Sequence, residues 1–400
     1  MKKNRKVILI FLGNFAGSTA SLLLEQILKD TEQEDIFFTN PPLLPIVIHQ
    51  DPFLQKELLK DFSSFVKTNW FVQLEEKLTY ISDGEEFQFL HHIIEEEYKG
   101  KDVLFSIMFS PISEYDTLKL NSLFRFINTN YPESNRLLIS LKPSTSSAGP
   151  TAPYYELVTL YLALHHSNAL LLWDEDAISN VLNYHNKQAK LLEKNELTFK
   201  EIILNGLRSL FKMEWTKELT YGYVEELTLN LVRFSHVKLL SMRMINQIKM
   251  EEKNPPFNNY YPAIMNHANL STTEDIEAYP SLSMNFLFTG KTIDARYFIE
   301  TERKIMQDIK SSSFSKFQVN RYIASESWGQ FCIIENNSWI VQYLIKLEKA
   351  FLRIFERKAF LHSLRDQDLT EDDLLIMFKD LKAIIMAYNE CGENLELLIT

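Results

Sequence analysis

The feature that most constrains this chain is an alternation of short apolar runs with amphipathic stretches through its first 174 residues. Residues 7–12 read Val-Ile-Leu-Ile-Phe-Leu. A continuous apolar run of this length is the pattern of a parallel strand buried on both faces. Further short strands are predicted at 45–48, 103–109, 137–141 and 169–173. Between them, helical stretches are predicted at 18–28, 87–98, 118–128 and 157–165. In the second of these Phe87, Leu90, Ile94 and Tyr98 share one face. Strand–helix alternation of this kind predicts an α/β fold built on a doubly wound sheet.

The rest of the chain continues in the same vocabulary. A long helix is predicted over 198–218, with Ile202, Ile203, Leu207, Leu210 and Phe211 as its core face. Strands follow at 237–240, 283–288, 317–322 and 331–334, with a helix at 295–309 among them. Two helices end the chain, and Thr370 and Asp373 give the second a capping-box-like start. The predicted partition is an α/β domain over 1–197, a core helix over 198–218, an intermediate α/β domain over 219–336 and C-terminal helices over 337–400.

Composition removes several function classes. The formal net charge of −11, with no basic stripe, disfavours non-specific nucleic-acid binding, which depends on neutralising phosphates. Two cysteines, Cys332 and Cys391, cannot build a disulfide framework or a cysteine-rich zinc site, and they fit a reducing compartment. Lys2, Lys3, Arg5 and Lys6 before the first apolar run imitate a signal peptide, but the run stops before Asn14 and is read as a buried strand. No transmembrane segment is expected. Glycine occurs only ten times in 400 residues, about a third of ordinary usage. A chain so short of glycine has few places where its backbone can approach a phosphate closely.

Residues 355–362 read Phe-Glu-Arg-Lys-Ala-Phe-Leu-His. This resembles the signature F-R-R-K-A-F-L-H of the tubulin superfamily, with one change. Other matches fall in the same order. Residues 229–234, Leu-Asn-Leu-Val-Arg-Phe, resemble N-L-V-P-F, and Pro153-Tyr154 stands where tubulins have V-E-P-Y-N, followed by Asp174. Ile48-His49-Gln50-Asp51-Pro52 resembles V-D-L-E-P, Asn69-Trp70 resembles part of N-N-W-A-K-G, and Tyr131-Pro132-Glu133 resembles Y-P-D. The resemblance implies a Rossmann-type nucleotide-binding domain, a long core helix, a second α/β domain and a C-terminal helical hairpin. It also implies GTP and magnesium as ligands, head-to-tail polymerisation, and GTP hydrolysis at the subunit junction.

Carried over residue by residue, the implied nucleotide site is incomplete. The first phosphate loop, G-Q-C-G-N-Q-I-G in the family, reads Gly13-Asn14-Phe15-Ala16-Gly17-Ser18-Thr19-Ala20. It stands equally as a degraded phosphate loop, with Gly13, Asn14 and Ser18 as contacts, or as a plain strand-to-helix turn. Asp51 keeps an acidic position while His49 replaces the other, too little carboxylate to claim a metal. The G-G-G-T-G-S-G loop should follow the strand ending near Phe109, where the chain reads Ser110-Pro111-Ile112-Ser113-Glu114-Tyr115-Asp116-Thr117. There is no glycine for a cradle of N–H groups, Pro111 removes a donor, and Glu114 and Asp116 add negative charge. Two like charges about 4 Å apart repel by about 4 kcal/mol at an effective dielectric near 20.

At the base, Phe199 replaces the tyrosine that stacks on guanine, Ile203 replaces an asparagine, and Glu175 stands where another asparagine reads the base edge. Phe199 is more readily read as a core-facing aromatic at the start of the long helix. For hydrolysis in trans the resemblance aligns Glu226 with the catalytic glutamate of α-type tubulins, while Tyr223 and Tyr221 replace its companions. Against this stands a solvated helix face, with Glu225 beside it. The pairs His91-His92 and His165-His166 cannot chelate alone, because adjacent helical residues diverge. The chain lacks a strongly acidic tail, ending Leu397-Leu398-Ile399-Thr400.

The expectation is a cytoplasmic, cytoskeletal tubulin-like protein. It associates with itself or with tubulin-like subunits, and its GTP site is degenerate. The alternative is an active GTPase that polymerises, with Asn14, Ser18, Asp51 and the loop 144–151 as a substitute cradle and Glu226 acting on the neighbouring subunit.

Overall fold

The computed structural model describes residues 5–13, 43–49, 71–73, 85–98, 102–111, 114–144, 148–191, 197–215, 223–232, 234–249, 269–273, 281–290, 317–323, 328–365 and 369–397. In chain order its elements begin β1 (Arg5–Leu12), β2 (Leu43–His49), β3 (Phe71–Gln73), α1 (Glu85–Tyr98), β4 (Asp102–Phe109), α2 (Glu114–Asn130) and β5 (Asn135–Lys142). Next come α3 (Ala152–His166), β6 (Ala169–Asp174), α4 (Glu175–Leu191), α5 (Phe199–Trp215), α6 (Tyr223–Leu231) and β7 (Leu239–Lys249). The last are β8 (Ser281–Gly290), β9 (Phe317–Ile323), β10 (Trp328–Asn337), α7 (Ile340–Phe355), α8 (Leu361–Arg365) and α9 (Glu371–Leu397). The predicted helices over 18–28 and 295–309 lie outside the described residues. Contacts group the chain into two units. The first holds Met1–Leu170, Leu210–Glu226 and Leu347–Asp380; the second holds Leu171–Ser209, Leu227–Lys346 and Leu381–Thr400.

In the first unit, the six apolar residues of 7–12 are at most 1 % exposed. β2 and β4 pair with β1 on its two edges, both parallel, with Val7 opposite Leu43 and Leu104. β3 extends the sheet beyond β2 and β5 extends it beyond β4, giving the order β3-β2-β1-β4-β5 with every pair parallel. This is the α/β sheet the alternation predicts. β3 was not predicted, because three residues are too few to show a period. On α1, Phe87, Leu90 and Ile94 are buried as their spacing requires. Helix α3 is buried nearly all round, from Tyr154 through Leu164 apart from Tyr161, and Pro153 occupies its first turn, where a missing N–H costs nothing.

The same unit buries a cation without using a carboxylate. Arg136 donates to Asn128 Oδ1, to the carbonyls of His166 (3.3 Å) and Tyr131 (3.4 Å), and to Ser134 Oγ (3.5 Å). These neutral acceptors sit at the C-terminal ends of α2 and α3. Each such end carries roughly half a negative charge, so two of them balance one guanidinium. Burial lowers the Arg136 pKa from its ordinary value, yet an arginine remains charged. Asn168 completes the clasp, accepting from the Arg136 N–H at 2.8 Å and donating its own N–H to the Arg136 carbonyl at 2.9 Å.

The second unit carries a mixed sheet in the order β7-β10-β8-β9. β10 is antiparallel to both β7 and β8, and β8 is parallel to β9. β7 begins later and runs much further than the predicted strand at 237–240. The segment around Leu270 stitches β6 to β7: Asp174 N–H donates to Leu270 O and Leu270 N–H to Met242 O, each at 2.8 Å. The Ser271 hydroxyl donates to Leu172 O and accepts from Met242 N–H. On α5, a Cβ at Gly206 would stand 2.9 Å from Cζ2 of Trp173, so glycine lets the helix lie directly against β6. The carbonyl of Leu231, at the end of α6, accepts from Ser283 Oγ and Asn336 Nδ2, which satisfies an otherwise orphaned acceptor.

Arg243 and Glu335 form a buried ion pair in this sheet, Nε to Oε1 at 2.8 Å, with side chains 1 % and 0 % exposed. Ser241 is the direct cross-strand partner of Glu335, so Arg243 reaches its carboxylate diagonally on one face. Asn337 donates to the other carboxylate oxygen at 3.4 Å. Breaking such a pair leaves a buried charge without compensation. Glu335→Ala is expected to cost about 3–5 kcal/mol in urea unfolding, and Arg243→Met with Glu335→Leu to cost much less. A single-variant loss below about 1 kcal/mol would show that the pair is not desolvated as described.

His185 on α4 bonds the Met244 backbone, and desolvation holds its pKa below the ordinary histidine value. The folded state therefore keeps the neutral ring while the unfolded chain takes a proton near pH 6.5. This contribution is complete above the unfolded pKa and falls as pH drops below about 6.5. Melting temperatures measured from pH 7 down to 5 are expected to fall less steeply for His185→Gln than for the parent.

Candidate functional site

In an open parallel sheet, ligands bind beyond the carboxyl ends of the strands, where the strand order reverses. Here β1 is flanked by β2 on one edge and β4 on the other, so the reversal lies between β1 and β4. The register sets Phe11 opposite Met108. Two residues further on, Gly13 lies level with Ser110. The structure thus brings together the starts of the two loops that the sequence singles out. Gly13 has φ 86°, the left-handed region that a side chain disfavours. Asn14, Ser18 and Asp51 lie outside the described residues.

The second loop is a short, tied turn. β4 ends at Phe109 and α2 begins at Glu114, so only residues 110–113 connect them. Pro111 is buried, and its carbonyl accepts from the Thr159 hydroxyl of α3 at 3.0 Å. The same hydroxyl lies 2.7 Å from Tyr155 O and 3.2 Å from Glu156 O. The described residues of this turn, Ser110 and Pro111, include no glycine, and Pro111 has no N–H to offer an anion. Helix α2 carries Glu114 as its first residue and Asp116 as its third. At the carboxyl end of β5, Lys142 is engaged with Glu156 at 3.7 Å. Among the described residues, Ser110 and Pro111 do not fit the glycine-rich cradle that the resemblance implies. Among the described residues, no group of His, Cys, Asp and Glu is placed to hold a metal ion.

Glu175 and Phe199 belong to the second unit. Glu175 is the first residue of α4, following Asp174, whose carboxylate accepts from Ala177 N–H at 3.0 Å and caps the helix. Phe199 is the first residue of α5 and is half-buried. Its position is fixed from two sides. Thr198 and Glu201 form a capping box, with bonds of 2.7, 2.8 and 3.3 Å. The Asn186 amide clamps both backbone groups of Leu197, at 3.0 and 2.7 Å. Ile203 is fully buried, so the position that reads a base edge in the family serves the core here.

Glu226 lies in α6, and Glu225 beside it accepts from Asn135 Nδ2 at 2.9 Å. Asn135 is the first residue of β5, at the amino edge of the parallel sheet. Asn135 lies opposite Leu104, six residues before Ser110, and a strand rises about 3.3 Å per residue, so α6 is tethered about 20 Å from the carboxyl edge where Gly13 and Ser110 meet. Within one chain these two places do not converge.

The histidine pairs separate as helical neighbours must. His91 shares a hydrogen bond with the Tyr131 hydroxyl at 2.9 Å, while His92 faces Glu96 at 3.1 Å. His165 faces Asp380, and His166 meets Asn128. Two segments that carry the family resemblance do meet: the Tyr154 hydroxyl donates to Ala359 O at 2.9 Å. Ala359 sits between Lys358 and Phe360, both with positive φ (48° and 61°). No protein-family model matches the chain, and no curated protein is detectably similar to it.

Alanine at position 13 would carry the left-handed conformation at a cost of about 1–2 kcal/mol. Gly13→Ala is expected to lower the urea midpoint accordingly, and Gly13→Asn by less, because asparagine tolerates this region better. Equal midpoints for all three proteins would be incompatible with the backbone described at Gly13.

Proposed function

We propose that this chain is a tubulin-like cytoskeletal protein of the cytoplasm that associates with itself or with tubulin-like subunits through a fold whose GTP site is degenerate. The observation that carries this reading is the turn at the β1–β4 reversal. Ser110 and Pro111 stand where the resemblance would put a glycine-rich loop, and Thr159 holds the Pro111 carbonyl. The turn thereby becomes a packing element. The contact of Tyr154 with Ala359 supports the family assignment, because it joins two of the quoted motifs across 205 residues.

A second reading, an active GTPase that polymerises head to tail, is favoured by two observations. Gly13 has left-handed backbone, which a phosphate loop at this position would use. Glu225 fixes α6 at the sheet edge opposite the reversal point, where Glu226 would meet the site of a neighbouring subunit and not its own. The two readings differ in what the purified protein carries. Chromatography of the denatured, freshly purified chain is expected to find far less than one guanine nucleotide per chain. Near-equimolar GTP or GDP would defeat the degenerate-site reading and move the second one forward. In that case Glu226→Ala should abolish turnover while leaving nucleotide bound.

A further inference from the structure

We infer that the buried face of the second sheet binds one internal water molecule, which joins Ser241 and Asn269 to the carboxylate of Glu335. The inference does not rest on the nucleotide reading, and all three residues belong to the second unit. Its first support is a pair of polar atoms that the packing leaves over. Ser241 is 0 % exposed, and its hydroxyl has no hydrogen-bond partner among the described residues. The Nδ2 of Asn269 is also shut off from solvent and also has none. A buried polar group without a partner bears its full desolvation penalty, so such atoms in a folded protein point to an occupant beside them.

The strand register puts the two atoms on one face. Ser241 is directly opposite Glu335, and Arg243 is directly opposite Asn269 in an antiparallel bridge. Directly opposed residues share a face of the sheet, as do residues two apart on one strand. Asn269 also leans toward Ser241. Its Oδ1 accepts from Ser271 N–H at 2.8 Å, and Leu270 N–H donates to Met242 O, so the segment 269–271 runs antiparallel to β7 and back along it toward Ser241. Diagonal neighbours of this kind stand about 7 Å apart. The two side chains make no direct bond, and one small molecule making two bonds of about 2.8 Å spans the gap.

Charge and access select the occupant. Arg243 and Glu335 pair at 2.8 Å, so an anion would meet the carboxylate and a cation the guanidinium. The occupant is therefore neutral. Ser241, Arg243 and Glu335 are at most 1 % exposed, which closes the site to bulk solvent and to organic ligands. Water is the neutral molecule that folded proteins enclose, with about three hydrogen bonds each. Here Ser241 and Asn269 donate to it, and it donates to Glu335. The Glu335 carboxylate already accepts from Arg243 on Oε1 and from Asn337 on Oε2, and with about four lone-pair sites it can accept again. The water thus adds to the hydrogen bonding that a buried ion pair requires.

The test is the sign of a stability change in the full-length chain. A Ser241 hydroxyl standing alone would be a buried unsatisfied group, and Ser241→Ala would then raise the urea midpoint. With the water in place, the same substitution removes one of the water's partners, and the midpoint is expected to fall. An unchanged or raised midpoint would overturn the proposal. A double-mutant cycle with Asn269→Ala tests the bridge, because the loss of the Ser271 bond is common to both backgrounds and cancels. The two substitutions are expected to be non-additive, with Ser241→Ala shifting the midpoint less once Asn269 is gone. Additive shifts would overturn the bridge. Where Asn269→Ala does not fold, crystals of the parent chain carry the test. They are expected to show an isolated water peak within hydrogen-bond distance of Ser241 Oγ and Asn269 Nδ2. Direct contact between those two side chains, no peak, or a peak with the anomalous signal of an ion would overturn the proposal.

Discussion

The burial of β1 on both faces and both edges is the constraint from which the first unit follows. A strand whose six central side chains are all excluded from water cannot sit at a sheet edge or face solvent. Its backbone groups must be paired on two sides, which β2 and β4 do in parallel register. Parallel neighbours require crossovers long enough to hold helices, and those helices cover the faces. The reversal of strand order beside β1, and so the place where a ligand-binding crevice forms, results from the same requirement.

Local physics made part of this legible in the sequence. The apolar run of 7–12, the Phe87-Leu90-Ile94 stripe and the Thr370–Asp373 cap each express their structure within a few residues. In the cap, the Thr370 hydroxyl and then its N–H donate to Asp373, holding that carboxyl below the usual carboxylate range. The missing glycines of 110–117 were legible for the same reason, since a phosphate cradle is a property of consecutive backbone units. The separation of Glu226 from Gly13 and Ser110 was not legible. It depends on the strand register and on the bond between Asn135 and Glu225, 90 residues apart. Arg243 sits in an apolar strand segment, 92 residues from Glu335, with nothing nearby in sequence to announce that partner. An arginine among apolar strand residues is itself the signal that a distant acceptor exists.

Arg243 and Arg136 show how one difficulty receives two answers. Arg243 is compensated by the carboxylate of Glu335 on a neighbouring strand. Arg136 is compensated by the ends of two helices, and its geometry depends on backbone already fixed by hydrogen bonding. The first arrangement is sensitive to a single substitution, whereas the second persists as long as both helices end where they do. In the first unit the cation works as a fastener between helix ends, in the second as a cross-strand tie.

The Lys358–Phe360 turn bears on the order in which the chain assembles. Two residues with side chains hold left-handed backbone on either side of Ala359, a conformation that a free segment of this composition seldom visits. Local bonds from Lys358 N–H to Phe355 O (2.8 Å) and from Ala359 N–H to Ile354 O (3.0 Å) close this turn at the end of α7, and the hydroxyl of Tyr154, 205 residues earlier in the chain, adds a bond to Ala359 O. No local segment can supply that bond. It becomes available only when α3 and the C-terminal helices have met, after the loop-closure entropy of the intervening chain has been overcome. The bond from Tyr154 therefore acts as a completion mark, a contact made only in molecules where α3 and the end of α7 have met.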